Sequence, residues 1–262
     1  MALVITTYER PDALAAVLES VGRQCVAPDE IVIADDGSGP ATRELVQGFG
    51  ARSTVPTRFV SQTHAGFRVA RLRNLAIAAT SLDYLVFIDG DMLLHPAFVA
   101  DHVRLARRGF CTQGVRVQAD AALTRALIAR PSRLPRPWSR GLGALRRAYL
   151  LRSPALSTAA RSLANTFIAI KSCNLAFWRD DLVRVNGFNE AFEGWGPEDK
   201  ELAARMRNAG VRRQSLLFGG IAVHLHHPPA SRAALPANLA LLENTVARRL
   251  ARCERGLDAH IR

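Results

Sequence analysis

The residues of this sequence best suited to chemistry are two carboxylates separated by a glycine, Asp89-Gly90-Asp91. They directly follow the apolar run Tyr84 to Ile88, which has the composition of a buried strand. Because ligands of open α/β sheets bind at the carboxyl ends of the strands, the two carboxylates can hold a hard divalent cation through oxygen. The alternative is an ordinary Asp-Gly turn with both carboxylates in water.

Two other strand ends carry polar side chains. A strand over Leu3 to Thr6 leads into Tyr8, and a second over Ile31 to Ala34 ends in Asp35 and Asp36. In a parallel sheet with right-handed crossovers, these ends and the Asp-Gly-Asp turn lie along one edge. Each motif is weak alone, but the three together predict a nucleotide pocket.

A second acidic pair follows Pro197, a residue suited to the first turn of a helix. Glu198 and Asp199 then lie in that turn, beside free backbone N–H groups at the positive end of the helix dipole. Acidic residues are common in first turns without any function. Here Trp195 stands between two glycines, where no structural need for a large aromatic is evident.

Three histidines, His224, His226 and His227, lie within four positions at the end of an apolar run. A single histidine is more often structural, whereas a cluster at a strand end favours metal contact.

The wider pattern predicts an α/β fold with a mostly parallel sheet, because strands alternate with helices of ordinary length. Further predicted elements are helices over Pro11 to Val21, Arg43 to Phe49, Val69 to Thr80 and Arg179 to Val185, and strands over Arg58 to Ser61, Ser172 to Trp178, Ser215 to Phe218 and Ile221 to Val223. A helix and a strand are expected within 96–117. A C-terminal helix is expected to carry its apolar stripe through Leu242, Val246, Leu250, Cys253 and Leu257 and to dock on the domain.

Composition places the chain among globular proteins: 262 residues, 48% hydrophobic and 22% charged. The first residues lack the basic region of a signal peptide, and no apolar run approaches the ~20 residues that cross a bilayer. Four scattered cysteines without a CxxC pair fit reduced core thiols. We therefore expect a cytoplasmic protein.

The net charge of +12 is concentrated in one segment. Nine arginines and no acidic residue lie between Arg125 and Arg161, within a Pro- and Arg-rich insertion over 119–164. The segment is either a solvated basic loop or a surface for anionic lipid headgroups or a phosphate-bearing acceptor, with Trp138 and Tyr149 as interfacial anchors. No recognised RNA- or DNA-binding motif accompanies it, which argues against a nucleic-acid partner.

These residues resemble family 2 glycosyltransferases of the GT-A fold. The likeness is carried by Ile5-Thr-Thr-Tyr-Glu-Arg-Pro11, Ile33-Ala-Asp-Asp-Gly-Ser38, Arg71-Leu-Arg-Asn-Leu75 and Phe87-Ile-Asp-Gly-Asp91. The later motifs Asn174-Leu-Ala-Phe-Trp178, Gly187-Phe-Asn189 and Gly194-Trp-Gly-Pro-Glu-Asp199 resemble β-1,4-galactosyltransferases and chondroitin-polymerase-like enzymes. The resemblance implies a nucleotide-sugar half over 1–118, an acceptor-side C-terminal half over 165–228 and a helical tail over 229–262.

The resemblance also implies roles for individual residues. Asp199 is the expected general base, Glu198 and Trp195 are expected to bind the acceptor, and Asp91 and His224 are expected to hold Mn²⁺ or Mg²⁺, with His226 as the alternative histidine. The donor nucleotide is expected to be bound by Thr6, Tyr8, Arg10, Asp35, Asp36, Arg73 and Asp89. Pro197 replaces a family glycine and Lys200 interrupts the acidic run, so sugar preference does not transfer.

The predicted function is inverting, metal-dependent transfer of a hexose or N-acetylhexosamine. The donor is a nucleotide sugar, UDP-linked, and the acceptor is a hydroxyl of a glycan or glycolipid in cell-surface polysaccharide or lipopolysaccharide synthesis. The expected location is cytoplasmic, peripheral on the inner face of the plasma membrane. One alternative is a sugar nucleotidyltransferase, although Thr6-Thr-Tyr-Glu-Arg10 lacks the glycines of its phosphate loop. The other is a basic nucleic-acid-binding protein.

Overall fold

The computed structural model describes residues 1–162 and 170–261. In the first half of the chain, strands alternate with helices as the apolar pattern predicts. These elements are β1 (Ala2–Thr7), α1 (Pro11–Gly22), β2 (Glu30–Asp35), α2 (Pro40–Arg52), β3 (Thr57–Ser61), α3 (Val69–Ala78) and β4 (Tyr84–Asp89). The predicted α/β class is confirmed.

The second half is less regular and contributes both strands and helices to the same body. Its elements are β5 (Met92–Leu94), α4 (Phe98–Leu105), β6 (Phe110–Gly114), β7 (Arg116–Gln118), α5 (Ala121–Ala129), α6 (Pro154–Ala160), β8 (Asn174–Trp178), α7 (Arg179–Arg184), α8 (Glu198–Asn208), β9 (Arg212–Leu216), β10 (Ala222–His224) and α9 (Leu235–Ala247). Short 3₁₀ helices cover Arg147–Leu150 and Leu257–Ala259. Among the helices of the described residues, none has both the length and the apolar character that crossing a membrane requires.

The main sheet has seven strands in the order β3-β2-β1-β4-β8-β6-β9, and β5, β10 and β7 form a smaller sheet. Strand β1 runs parallel to β2 and β4, while β8 is antiparallel to both β4 and β6. In this register Thr7 pairs with Asp35, and Thr6 pairs with Asp89. The three polar strand ends therefore lie along one edge, as predicted.

Apolar side chains cover both faces of the central strands, which explains why β1 and β2 read as continuous hydrophobic runs. Val4, Val32 and Phe87 belong to one buried cluster with residues of α3 and α8. Leu3 and Ile33 point to the other face and belong to a cluster with residues of α1 and α4. This two-sided core makes the strand ends a rigid support for the polar edge.

A fully buried asparagine joins the two sheets. The Asn174 side-chain amide donates to the carbonyl oxygens of Val115 and Gly220 at 3.0 and 2.8 Å, and its oxygen lies 2.9 Å from His102 Nε2. At Gly114 an added Cβ would lie 2.1 Å from that amide oxygen, so only glycine fits there. Strand β8 is thus fixed against β6 and the turn before β10.

Helix α8 is anchored by a buried ion pair one turn along. Arg205 Nη2 lies 2.8 Å from Glu201 Oε2, both side chains are fully buried, and Thr245 of α9 donates to Glu201 Oε1 at 2.9 Å. Glu198 and Asp199 lie in the first turn of this helix. The ion pair between Glu201 and Arg205 therefore also fixes their position.

The prediction for the C-terminal helix is wrong beyond Ala247. Helix α9 ends there, and Arg249 adopts a left-handed backbone conformation with φ of 51°. Within α9 the buried side chains are polar, Asn238 and Thr245, because they bond to neighbouring segments rather than to an apolar stripe. Cys253 and Leu257 do dock on the domain, but from a non-helical segment and a short 3₁₀ helix.

We predict that Arg205→Met lowers the free energy of unfolding by about 3–5 kcal/mol, because it leaves the Glu201 carboxylate buried without its cation. Urea denaturation measures the change. The double variant Glu201→Leu/Arg205→Met should recover most of the loss. The matched control is Arg184→Met, which breaks the partly exposed pair with Asp181 and should cost less than about 1 kcal/mol. Wild-type stability for Arg205→Met alone would contradict the anchoring role.

Candidate active site

The turn after β2 organises one end of the polar edge. Buried Asp35 accepts hydrogen bonds from the Ser38 hydroxyl and from the N–H groups of Gly37 and Ser38, at 3.2 and 2.9 Å for the two N–H groups. These bonds hold a tight turn in which Gly37 has a positive φ of 83°. Asp35 therefore shapes the loop, and it leaves the next carboxylate, Asp36, at the edge.

Next to that turn an aromatic pair forms a flat surface. The rings of Tyr8 and His64 stack with centroids 4.3 Å apart and planes 10° from parallel. His64 Nδ1 lies 3.2 Å from Asp36 Oδ2, and Gln62 also donates to Asp36. A half-exposed aromatic surface beside a carboxylate is suited to a planar base.

The end of β4 is bridged to the second half of the chain by Arg73 of α3. Its guanidinium lies 3.4 Å from Asp89 Oδ1 and 3.0 Å from Glu198 Oε1, and it packs over the Phe188 ring. Burial alone lowers the pKa of Arg73, but the carboxylates of Glu198 and Asp89 outweigh this effect and raise the net pKa above its usual range. Thr6 also donates to Asp89, at 3.0 Å.

Asp91 lies beside two imidazoles. Its oxygens are 3.6 Å from His224 Nε2 and 3.5 Å from His227 Nε2, and all three groups offer ligand atoms within 4.8 Å of one another. Backbone pairing produces this convergence, because β10 runs antiparallel to β5 and His224 pairs with Met92. Buried Asp91 Oδ1 has no hydrogen-bond partner among the described residues. An orphaned carboxylate oxygen with two imidazoles is a donor set that fits Mn²⁺.

The protonation states of this cluster suit metal binding. Burial and the neighbouring Asp89 raise the pKa of Asp91 to about 6, so the carboxylate is mainly ionised at neutral pH. Burial and the charge of Arg116 lower the pKa of His224 to about 4, so its imidazole is neutral. Ionised carboxylate and neutral imidazole are the forms that ligate metals.

His226 points elsewhere. Its side chain is exposed, its backbone N–H donates to Thr124, and its carbonyl accepts from Arg10. Arg10, which was expected in the nucleoside pocket, also lies 3.2 Å from Asp91 Oδ2. The structure thus groups His227 with Asp91 and His224, where the sequence suggested His226 as the alternative, and it places Arg10 beside this cluster.

The acidic pair opens α8 as predicted, with Pro197 immediately before the first helical residue. Asp199 accepts from the N–H groups of Ser172 at 3.3 Å and Lys200 at 2.8 Å. Burial raises the pKa of Asp199 despite these bonds and the cation of Arg73. Burial and the Asp199 charge raise the pKa of Glu198 to about 7. Desolvation therefore outweighs the helix dipole, which would lower both values.

Trp195 stands at the surface between Gly194 and Gly196. The Gly194 N–H donates to the carbonyl of Phe67 at 2.8 Å, and Gly194 has a positive φ of 74°. The Trp195 side chain is exposed, with the Arg232 guanidinium 5.2 Å from the centroid of its ring. The contact that the structure gives the Trp195 ring is thus with a cation rather than with Asp199.

Sequence reasoning missed His64 and His227 as site residues. His64 follows the end of β3, the strand next to β2, so the rule that placed Asp35 at the edge also applied to it. His227 was within the histidine cluster, but it lies past the end of β10. Strand periodicity therefore did not indicate where its side chain points.

Comparison with known proteins decides the family. The protein-family model described as "Glycosyl transferase family 2" matches residues 2–163. A second family model, described as "N-terminal domain of galactosyltransferase", matches residues 159–228. The chain belongs to glycosyl transferase family 2. Both parts of the expected resemblance are confirmed, and the match favours a glycosyltransferase over a sugar nucleotidyltransferase or a nucleic-acid-binding protein.

Two curated relatives illustrate the similarity. The validoxylamine A glucosyltransferase of Streptomyces hygroscopicus subsp. limoneus is 29% identical over 224 residues, covering 80% of this chain and 48% of that protein. The chondroitin synthase of Escherichia coli is 27% identical over 242 residues, covering 87% of this chain and 35% of that protein. The chain thus spans about half the length of these relatives, or less.

Solved structures share the fold at low identity. A mannosyltransferase from Pyrobaculum calidifontis in complex with GDP-Man and Mn²⁺ has a TM-score of 0.64 at 19% identity, covering 94% of this chain and 64% of that one. The S. aureus protein TarS in complex with UDP-GlcNAc has a TM-score of 0.65 at 12% identity, covering 99% and 68%. The GT-A fold predicted for this family 2 chain is confirmed.

The histidine geometry gives a direct prediction. His224→Ala and His227→Ala should each weaken Mn²⁺ affinity, measured by isothermal titration in the presence of UDP. The loss should be at least the roughly 10–100-fold that removal of an outer-shell partner costs. The matched control is His226→Ala, which should stay within about twofold of wild type. Equal losses in all three variants would contradict the assignment of the cluster.

Proposed function

We propose that this family 2 protein is an inverting, metal-dependent glycosyltransferase. It transfers a hexose or N-acetylhexosamine from a nucleotide sugar, UDP-linked, to a hydroxyl of a glycan or glycolipid acceptor. The observation that carries the proposal is the Arg73 bridge, because it holds Asp89 beside the candidate metal cluster and Glu198 beside the candidate base. The two kinds of chemistry that sugar transfer needs therefore share one edge of the sheet.

The donor side is formed by the ends of β1, β2 and β4. The base would stack on the Tyr8 and His64 pair with Asp36 at its edge, and Asp89 would accept from the ribose. A UDP donor is supported by structural neighbours in complex with UDP and UDP-GlcNAc, whereas another neighbour is in complex with GDP-Man. A hexose or N-acetylhexosamine fits the sugars in these names.

Asp91, His224 and His227 would hold Mn²⁺ or Mg²⁺, and the Mn²⁺ in one structural neighbour supports this cofactor. When bound, the cation would supply positive charge that stabilises the departing diphosphate. Arg10 lies beside Asp91 and would add a fixed cation on the same side. At an effective dielectric near 20, a charge pair at about 4 Å is worth ~4 kcal/mol, and each ~1.4 kcal/mol realised in the transition state is tenfold in rate.

Asp199 would remove the proton of the acceptor hydroxyl. Burial raises the pKa of its carboxylate, which increases its proton affinity as a base. Attack by that hydroxyl on the side opposite the departing diphosphate inverts the anomeric carbon. Glu198 and the face of Trp195 would bind the acceptor sugar beside it.

An acceptor in cell-surface polysaccharide or lipopolysaccharide synthesis is supported by the chondroitin and hyaluronan synthases among the relatives. The insertion supports action at a membrane surface. Leu145 is 97% exposed and Trp138 is 70% exposed, both within the arginine-rich segment that contains no acidic residue from 125 to 161. Exposed apolar side chains among arginines suit an anionic bilayer surface at the cytoplasmic face.

We predict that Asp199→Asn reduces UDP release in the presence of acceptor by ~10²–10⁴-fold, the usual contribution of a general base. Donor binding should persist, measured as thermal stabilisation by a panel of nucleotide sugars with and without Mn²⁺. The matched control is Asp180→Asn, since Asp180 is also the second residue of its helix but is exposed on α7. Unchanged turnover in Asp199→Asn would remove Asp199 from the mechanism.

The pH dependence has a definite sign. Because a base must be ionised, kcat/KM should fall as the pH falls through the pKa of Asp199. Burial raises this pKa, so the fall should occur at a higher pH than for an ordinary aspartate. A profile of kcat/KM against pH, measured by UDP release, checks this. A kcat/KM that stays constant as the pH is lowered to the ordinary aspartate pKa of ~3.9 would contradict this prediction.

Membrane binding is tested by sedimentation with vesicles. Wild-type protein should sediment with vesicles that contain phosphatidylglycerol and stay in solution with pure phosphatidylcholine. Leu145→Glu should weaken binding, because it removes an exposed apolar side chain and adds a negative charge that the anionic lipid repels. The matched control is Val26→Glu, at an exposed apolar residue outside the insertion. Equal binding by Leu145→Glu and wild type would contradict the membrane role.

A further inference from the structure

A second cleft lies on the opposite half of the main sheet from the nucleotide edge. It encloses about 160 Å³ between the β6 and β9 side of the sheet and the insertion. Four basic side chains line it, and no acidic residue does so in the part of the chain that the structure describes. We call it the basic cleft and define it by Arg116, Arg146, Lys171 and Arg213.

These four cations come from separate parts of the sequence. Arg116 begins β7, Arg213 lies on β9, Lys171 precedes β8, and Arg146 comes immediately before the 3₁₀ helix of the insertion. Burial lowers the pKa of Arg213, which shows that its environment disfavours positive charge. Four basic side chains around one cleft attract an anionic ligand.

The basic cleft adjoins the candidate base. The N–H of Ser172, next to Lys171, donates to Asp199 Oδ2 at 3.3 Å. Arg116 Nη1 lies 3.4 Å from the Cys173 sulfur. Burial raises the pKa of the Cys173 thiol to about 12, and the charges of Asp89 and Asp199 add to this effect. The floor of the cleft therefore lies within electrostatic reach of both the donor-side and the base carboxylates.

The basic cleft is built mainly on strands other than those of the nucleotide edge. The nucleotide edge is built on β2, β1 and β4, whereas β8, β6 and β9 follow in order across the sheet. Asp199 contacts the segment just before β8, between the two regions. Arg116 also acts on the candidate metal cluster, because it pairs with Ala222 of β10 and its charge lowers the pKa of His224. A ligand in the basic cleft would thus lie beside the base, with Arg116 on the side of the metal cluster.

We propose that the basic cleft binds an oxyanion carried by the acceptor, a phosphate ester or a sugar carboxylate. This rests on the proposed function, since it names the chemical class of its acceptor. Guanidinium groups present paired N–H donors that match the oxygens of either anion. The bound anion orients the acceptor so that its hydroxyl faces Asp199.

The experiment is a calorimetric titration with the full chain saturated with UDP and Mn²⁺, so that the donor diphosphate site is filled. The probes are phenyl phosphate, phenyl glucuronide and neutral phenyl glucoside, at low ionic strength. At least one anionic probe should bind and the neutral glucoside should not. The preferred anion shows whether the acceptor supplies a phosphate or a carboxylate.

Charge-reversal variants locate the binding. Arg146→Glu and Lys171→Glu should each weaken binding of the preferred anion by about tenfold or more. Each change replaces a positively charged hydrogen-bond donor with a carboxylate that repels the anion. The matched control is Arg147→Glu, an identical change at the next exposed residue, whose side chain does not line the cleft. It should stay within about twofold of wild type. Unchanged melting temperatures confirm that the variants are folded.

Three results would overturn the inference. These are no anion binding by protein that holds UDP and Mn²⁺, equal weakening by Arg147→Glu, or equally tight binding of the neutral phenyl glucoside. The proposed function survives each of them, because donor binding is measured separately. Failure to bind UDP and Mn²⁺ at all would overturn the proposed function and the inference together.

Discussion

A buried guanidinium holds the two halves of the candidate site in register. Arg73 leaves α3 in the nucleotide half and contacts Asp89 at the end of β4 and Glu198 at the start of α8. Removing either carboxylate would leave a buried cation partly unpaired, which is costly in a low-dielectric interior. The spacing between donor-side and acceptor-side groups is therefore set by one side chain, and the rest of the site depends on it.

Burial acts on the titratable groups of the site with opposite results for acids and bases. It raises the pKa of Asp91, Glu198 and Asp199, and it lowers the pKa of His224. Both effects favour neutral forms, so the site carries less charge of its own than its composition suggests.

Much of the edge could be predicted because strand ends follow simple geometry. Asp35 and Asp89 end β2 and β4, which both run parallel to β1. Alternation of apolar runs with helical periods was sufficient to place them. Asp199 was predicted from a proline and a following helical period. What joins them could not be predicted from local pattern, since the Arg73 bridge spans 125 residues to Glu198.

Other features depended on long-range packing. The end of α9 at Ala247 follows from a left-handed Arg249, which no glycine marks in the sequence. The selection of His227 over His226 is set by the backbone beyond β10, where periodicity gives no guidance. The basic cleft combines residues from four segments, so total charge indicated a basic surface but not an enclosed one.

The pairing of β5 with β10 has a consequence for how the protein matures. Asp91 is synthesised well before His224, and the two meet only when β10 adds to the short sheet. A nascent chain emerging from the ribosome can thus form its nucleotide edge early, whereas the cluster of Asp91, His224 and His227 forms only after His227 has been synthesised. The cluster proposed to hold a cation in this way depends on the pairing of β5 with a strand that is synthesised much later.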